Sequence, residues 1–262
     1  MSKKKDKYIP LTGITGIGED YNVYVLSITE RITGYFIGLT AGFLATQIMF
    51  GSWLASILIG AVIGIFAVPI YRKYLQNKRK RNMLLQFRDI LDSLSNSFSS
   101  GKNTPGAFAD AFADMQTMHG ENAPLTKELS IIILGLQNNY IIEDLLKDMS
   151  RRCGIDDINS FAETFSVCNR LGGNLKKIVS ESRDIISDKI EIEMEIQTVV
   201  SANKNEINIM SVMPFVIILM MGLLGEESIT ANTPLNVIVK IIAIGMFVIA
   251  YALGRKITDI KV

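Results

Sequence analysis

Residues able to do acid–base, nucleophilic or metal chemistry are scarce in this chain. Its 262 residues include one histidine, His119, and two cysteines, Cys153 and Cys168. The cysteines are not spaced as metal ligands, and a single histidine cannot build a histidine-rich zinc site. A Ser–His–Asp arrangement would have to recruit that one histidine, and no GxSxG motif accompanies it. The sequence therefore predicts no enzyme, no metal site and no cofactor.

Motifs that bind phosphate are also missing. Lys102 follows Gly101 but precedes Asn103, and the upstream glycine of a GxxxxGK[ST] loop is absent. Gly13, Gly16 and Gly18 form GxxGxG, the reverse of the dinucleotide fingerprint, with no predicted strand before it. We expect the protein not to hydrolyse ATP itself.

Acidic side chains cluster on one stretch that has a helical pattern. The cluster comprises Glu181, Asp184, Asp188, Glu191, Glu193 and Glu195. Carboxylates at this density bind metal in some proteins and simply face water in most. We favour the solvated interpretation.

Four apolar blocks have about the 20 residues that a helix needs to cross a bilayer. They are residues 32–50, 53–70, 207–224 and 235–253. Only Gly51 and Ser52 separate the first two, which predicts a helical hairpin. Pro214 lies inside the third, where proline is expected to kink the helix. In the fourth, Lys240 either extends to the headgroups or pairs with Glu226 or Glu227.

Small residues recur every fourth position in the first hairpin. They are Gly34, Gly38, Gly42, Ser56, Gly60 and Gly64. This spacing lets two helix backbones approach closely in lipid. It is consistent either with packing of the hairpin on itself or with a contact between subunits.

Basic residues are confined to one side of the predicted spans. Arg72 and Lys73 follow the second span, and then come Lys78, Arg79, Lys80 and Arg81. The turns between spans carry no lysine or arginine, whereas Arg255 and Lys256 follow the fourth span. The positive-inside rule therefore places both termini and residues 72–206 in the cytoplasm. Anionic lipid or a protein partner, rather than nucleic acid, is the expected neighbour of Lys78–Arg81.

The fold class is thus an all-α integral membrane protein of the cell membrane. A cytoplasmic lead (residues 1–31) precedes the first hairpin (32–71), and a helical domain (72–206) separates it from the second (207–254). Residues 255–262 form a cytoplasmic tail.

Helix boundaries within residues 72–206 follow from capping residues. Thr104 is predicted to cap a helix that has Pro105 at its first position. Asp156 or Asp157 is expected to cap a later helix, which Gly172 and Gly173 end.

A long helix is predicted to begin at Asn174 and to continue into the third span. Its apolar residues follow a near-heptad pattern: Leu175, Ile178, Ile185, Ile192, Ile196 and Val199. Such a stripe either packs on the protein's own bundle or forms a coiled coil with a second subunit.

Short motifs occur in a characteristic order over about residues 83–225. Phe87 to Leu94 reads FRDILDSL, and Ser100 to Phe108 reads SGKNTPGAF. Leu171 to Leu175 reads LGGNL, and Pro214 follows in an apolar block. In this order and between two hairpins, they resemble the type II secretion system F-domain family. One such domain between two hairpins is similar to the TadB/TadC-type platform proteins of tight-adherence, type IV-like pili.

The resemblance implies an assembly platform in the inner membrane. A hexameric cytoplasmic secretion ATPase would dock on the helical domain, and the platform would pass its motion to pilin subunits during pilus assembly or secretion. The platform would act as a dimer or with a paralogous subunit. No catalytic residues carry over. Gly101, Pro105, Gly172, Gly173 and Pro214 transfer as structural positions, not as a ligand site.

Two other functions compete with this one. A four-span transporter or channel would need ionisable residues at mid-membrane, and only Lys240, near one end of its span, is a candidate. A membrane-anchored signalling protein would need a phosphate or nucleotide motif, which the sequence lacks.

Overall fold

A computed structural model of the chain describes residues 11–223 and a few single residues between 238 and 254. Every regular element in these residues is a helix, which confirms the predicted all-α class for this part of the chain. The helices are α1 (Ile28–Phe50), α2 (Trp53–Ser99), α3 (Thr104–His119), α4 (Pro124–Gln137), α5 (Ile142–Cys153), α6 (Asp156–Arg170) and α7 (Leu175–Leu223).

Two of these helices are long and apolar enough to cross a membrane by length and composition, namely α2 and α7. The predicted first span, residues 32–50, lies within α1, whose first turn belongs to the predicted lead, and the predicted third span lies at the end of α7. The predicted fourth span, with Lys240 and its proposed partners Glu226 and Glu227, falls almost wholly outside the described residues.

α2 is a single helix of 47 residues that includes Pro69 and the whole basic run. The predicted border at residues 71 and 72 between the second span and the helical domain therefore lies inside one helix. α7 is likewise uninterrupted over 49 residues and continues through Pro214.

The start of α3 differs by one residue from the prediction. Asn103, not Thr104, is the N-cap, because its side-chain oxygen accepts a hydrogen bond from the Gly106 backbone N–H at 3.0 Å. Thr104 and Pro105 then occupy the first turn. Proline is tolerated there, because the backbone N–H that it lacks would have no partner within the helix.

The predicted cap of α6 is also wrong. Asp156 and Asp157 lie in the first turn, after an N-cap residue, Ile155, that makes no side-chain cap hydrogen bond. Carboxylates in the first turn still interact favourably with the helix dipole. Asn174 does cap α7, since its Oδ1 accepts from the Lys177 N–H at 3.1 Å.

The chain divides into two compact units. The first comprises Met1–Val25 and Tyr74–Glu191, and the second comprises Leu26–Lys73 and Ile192–Val262.

The first unit is a helical bundle with an aromatic centre. The rings of Phe87 in α2 and Phe161 in α6 meet edge to face at 5.4 Å, and Phe108 of α3 meets Phe165 in the same way at 6.1 Å. Edge-to-face packing adds to the stabilisation from burying the apolar area of these rings. α2 contributes its buried residues Met83, Phe87, Ile90, Leu91 and Leu94 to this core.

The apolar stripe predicted on α7 packs on the bundle only in part, since Leu175 lies against the core. The buried face of the helix in this unit contains Val179, Ile186 and Ile190. By contrast, Ile185 is 64% exposed, and Ile192 and Val199 of the second unit are also exposed. α7 carries two apolar stripes, and the sequence pattern merged them because both repeat at helical spacing.

Burial also defines the inner sides of α5 and α6. Ile141 is exposed and precedes α5, whereas Ile142 is buried. On α6, Val167 is 59% exposed, so the less exposed Cys168 is the residue on the inner side.

In the second unit, α1 and α2 pack through their small residues. A Cβ atom added to Gly38 would lie 2.5 Å from the Ala67 Cβ, and one added to Gly42 would lie 3.0 Å from the Gly60 Cα. The Ser56 hydroxyl donates to the Gln47 side-chain oxygen at 3.0 Å. The small-residue pattern therefore serves packing within the hairpin, the first of the two interpretations.

Candidate functional site

Residues 11–25, called the N-terminal strap below, are folded onto the helical bundle of the first unit. The Tyr21 side chain is buried, and its backbone N–H donates to the Arg152 carbonyl at 2.9 Å. The Asn22 side chain donates to the Arg151 carbonyl at 2.9 Å, and the Asn22 backbone carbonyl accepts from the Gln76 side chain at 2.7 Å. The strap is thus an integral part of the bundle, which the sequence pattern did not predict.

The glycines of the GxxGxG motif bring the strap close to a buried charge. A Cβ atom at Gly18 would lie 2.6 Å from the Arg152 Nη1, and one at Gly13 would lie 3.0 Å from an Asp148 carboxylate oxygen. These glycines therefore have a packing role. The signal that could have revealed it is their position beside the apolar residues Ile14, Ile17 and Tyr21.

Arg152 is the centre of a buried ionic network. Its guanidinium donates to both carboxylate oxygens of Glu128, at 2.5 and 2.6 Å, and to Asp148 at 3.0 Å. Arg152 and Glu128 are both almost fully buried. A paired arrangement of this kind avoids leaving a charge in the interior without a partner.

Burial and the ion pair act on the titration of this network in opposite ways. Burial raises the pKa of Glu128, and the contact with Arg152 opposes that rise. Burial also raises the pKa of the Tyr21 hydroxyl and of the Cys153 thiol, and the Glu128 carboxylate adds to both shifts. Tyr21 and Cys153 therefore remain protonated at neutral pH, and neither is suited to act as a nucleophile.

Two residues of the basic run, Arg79 and Lys80, make contacts within the chain. Arg79 pairs with Glu19 at 3.1 Å and lies 4.5 Å above the centre of the Tyr21 ring. Lys80 donates to the Gly154 carbonyl at 2.6 Å. Lys78 is exposed, while Arg79, Lys80 and Arg81 are half-buried. Of the four candidate contact residues, Lys78 offers the most accessible charge to lipid or a partner.

Gly101 lies in the turn that follows α2. Its φ of 79° is left-handed, and the next N–H, of Lys102, donates to the Ser97 carbonyl at 3.1 Å. This is the hydrogen bond of a Schellman C-cap. Pro105 follows in the first turn of α3. Asp110 supports the turn by accepting hydrogen bonds from Lys102 and Ser97, which lower its pKa.

The LGGNL turn has the same construction. Gly172 has a φ of 68°, and the N–H of Gly173 donates to the Cys168 carbonyl at 2.9 Å. A Cβ atom at Gly173 would lie 2.7 Å from the Cys168 Sγ. The turn therefore links the end of α6 to the Asn174 cap of α7 within one short segment, and Leu171 beside it is 80% exposed. Pro214 lies far along α7, within the helix.

His119 lies at a contact between two helices, and a cavity lies beside the strap. The His119 Nε2 lies 2.8 Å from an Asp89 carboxylate oxygen, a contact between α3 and α2. A cavity of about 510 Å³ lies between the strap, α3 and α4, with Ile17, Tyr21 and Glu128 in its lining.

Thr126 lines the same cavity, and its hydroxyl is buried without a hydrogen-bond partner in the described part of the chain. Between residues 11 and 223, the structure shows no group of three or more His, Cys, Asp or Glu side chains placed to hold a metal ion. The geometry serves packing and charge compensation.

Comparison of the chain with models of protein families, with curated proteins and with solved structures finds no match.

Proposed function

We propose that this chain is an assembly platform in the cell membrane of a type IV pilus-like or type II secretion machine. It would couple a separate cytoplasmic secretion ATPase to the extraction and assembly of pilin subunits. The observation that carries the proposal is the order of the motifs from FRDILDSL through SGKNTPGAF to LGGNL and Pro214. The all-helical bundle and the membrane-type helices are compatible with it.

In this proposal the chain crosses the membrane four times, as two hairpins, with both termini in the cytoplasm. Positive charge on one side of the predicted spans supports that topology. The protein is not an enzyme and needs no cofactor. Its partners are a hexameric ATPase, pilins, lipids and a second platform subunit, either identical or paralogous.

Two helices that run through both compact units support the proposed coupling. α2 and α7 each contribute residues to both compact units without a break in the helix. A continuous helix transmits a displacement with less loss than a flexible linker, which behaves as a random coil. α7, which starts at the LGGNL turn, is the element we assign to this coupling.

The decisive experiment is co-purification from the native cell with a tagged chain, followed by deletion. We expect a secretion ATPase to be recovered and pilus or pseudopilus assembly to stop in the deletion strain. Complementation of the deletion strain with the tagged chain is the control. If deletion leaves assembly intact and no ATPase is recovered, the proposal is wrong.

A further inference from the structure

The surface between α6 and α7 in the first unit presents apolar side chains that the chain's own core does not cover. Val167 of α6 is 59% exposed and Ile185 of α7 is 64% exposed. Ile178 of α7 is half-buried. Apolar side chains that cluster on a surface commonly mark a site of interaction.

These side chains line a continuous groove. Two cavities, of about 260 and 360 Å³, share Thr164 and Ile178. Ile185 lines one of them, and Val167 and Cys168 line the other. We call the surface formed by these five residues the α6–α7 groove.

The charged residues that line the α6–α7 groove are all acidic. Asp157 and Glu181 line one cavity, Glu163 lines the other, and neither cavity has lysine or arginine in its described lining. Asp157 is paired with Lys189 at 2.8 Å, whereas Glu181 is 3.7 Å from Lys177 at an exposed position.

Glu163 accepts a hydrogen bond from the neutral Asn159 side chain at 2.8 Å. Its negative charge therefore has no cation at this contact. The groove combines an apolar floor with a rim of small net negative charge, because two of its three carboxylates lie near a lysine and Glu163, in the described part of the chain, does not.

The charge of the rim distinguishes between occupants. A second copy that docked through the same groove would place acidic rims against each other, which is unfavourable. An anionic lipid surface would be repelled for the same reason. A helix with an apolar stripe and basic flanks satisfies both the floor and the rim, in the manner of helix-in-groove recognition.

We propose that the α6–α7 groove is the docking site for a basic amphipathic helix of a partner protein. Apolar anchors of that helix cover Val167, Ile178 and Ile185, and its lysine or arginine side chains face Glu163 and Glu181. The inference rests on the groove alone and holds whether or not the chain is a pilus platform.

The test uses the full chain in nanodiscs of zwitterionic lipid and a synthetic amphipathic Leu/Lys peptide of about 15 residues, or four helical turns. Cys168 reports occupancy, because it lines the groove, whereas Cys153 is fully buried and serves as the internal control. We measure the rate of Cys168 alkylation by mass spectrometry against peptide concentration. A Leu/Glu peptide of the same pattern is the matched control.

We expect the Leu/Lys peptide to protect Cys168 and the Leu/Glu peptide to leave its rate unchanged. Ile185→Asn should weaken protection by about tenfold or more, the loss of one buried apolar anchor. The double variant Glu163→Lys, Glu181→Lys should weaken it severalfold, with less dependence on salt. Met118→Asn, which changes an exposed side chain on α3, should bind as the wild type does.

Three results would overturn the proposal. Equal protection by both peptides would show apolar adhesion without charge recognition. Protection of Cys168 by anionic vesicles, or by raising the protein concentration alone, would assign the groove to lipid or to a second copy. Unchanged protection in the Ile185→Asn variant would place the peptide elsewhere.

Discussion

Arg152 is the residue at which the N-terminal strap meets the helical bundle. Its guanidinium serves two carboxylates, Glu128 and Asp148, while its carbonyl accepts the Tyr21 N–H. A buried ion pair adds little net stability compared with apolar residues, but loss of one partner is costly because the other remains buried. We therefore expect the network to specify how the strap docks more than to strengthen the bundle.

Replacement of Arg152 by methionine tests this description. Arg152→Met leaves the Glu128 and Asp148 carboxylates without their cation, so we expect the free energy of unfolding to fall by about 3–5 kcal/mol. Hydrogen exchange of α4 and α5 amides in the full chain measures the loss. The double variant Arg152→Met, Glu128→Gln should regain part of it, and a failure to do so would contradict the charge argument.

Asp110 provides a pH-dependent contribution at the Gly101 turn. The hydrogen bond from Lys102, and then that from Ser97, hold the pKa of this carboxyl below its usual range in the folded state. Its stabilising effect is therefore complete above the unfolded pKa, about 3.9, and disappears as the pH falls through the lower folded value.

Asp110→Asn should therefore destabilise the turn at neutral pH and make no difference in strong acid. Hydrogen exchange of the first turn of α3, measured as a function of pH, follows the effect. Lys102→Met is the matched variant, because removing the cation should abolish most of the pH dependence. A difference that persists unchanged into acid would refute the assignment.

At the scale of elements, two helices end in the same C-cap, at Gly101 and at Gly172. Each glycine has a positive φ, and each following N–H donates to the carbonyl five residues before it. An L-residue with a side chain is strained in this conformation. The two turns therefore set where α3 and α7 begin.

Gly172→Ala should cost about 1 kcal/mol, since alanine must adopt a left-handed conformation there. Gly172→Asn should cost less, because asparagine tolerates that conformation and open space surrounds the position. Hydrogen exchange at the end of α6 and the start of α7 reports the change. Equal exchange in the glycine and alanine forms would argue against the cap.

The strap can be displaced without direct damage to the bundle. Gly18→Ala places a Cβ atom against the Arg152 guanidinium, so we expect faster hydrogen exchange in residues 11–25 and little change in α6. Gly16→Asn is the control, because Gly16 has a left-handed φ and no neighbour within 4 Å. If Gly18→Ala leaves the exchange of the strap unchanged, close packing on Arg152 does not hold it in place.

At the scale of the whole molecule, the predicted topology has a direct test. Ser52→Cys lies in the turn of the first hairpin and should react with a membrane-impermeant maleimide from outside the cell. Ser100→Cys, in the bundle, should react only after the membrane is opened. Both variants need Cys168→Ser as background, since that thiol is half-exposed. Reaction of Ser100→Cys in intact cells would reverse the orientation.

The sequence by itself determined what depends on local pattern. Helical spacing and capping residues such as Asn174 predicted an all-α fold, because these signals act within one or two turns. Runs of apolar residues indicated the membrane-type helices for the same reason. The glycines at 101 and 172 were identified as turn formers, since a positive φ is a property of a single residue.

Only the tertiary structure decided which surfaces meet. The local sequence does not show that Gly18 packs on Arg152, which is more than 130 positions away. A contact between such distant residues leaves no periodic pattern in the sequence. Both apolar stripes of α7 repeat at helical spacing, so only packing shows that Val179 faces the core while Ile185 does not. The acidic rim of the α6–α7 groove likewise exists only once the two helices lie side by side.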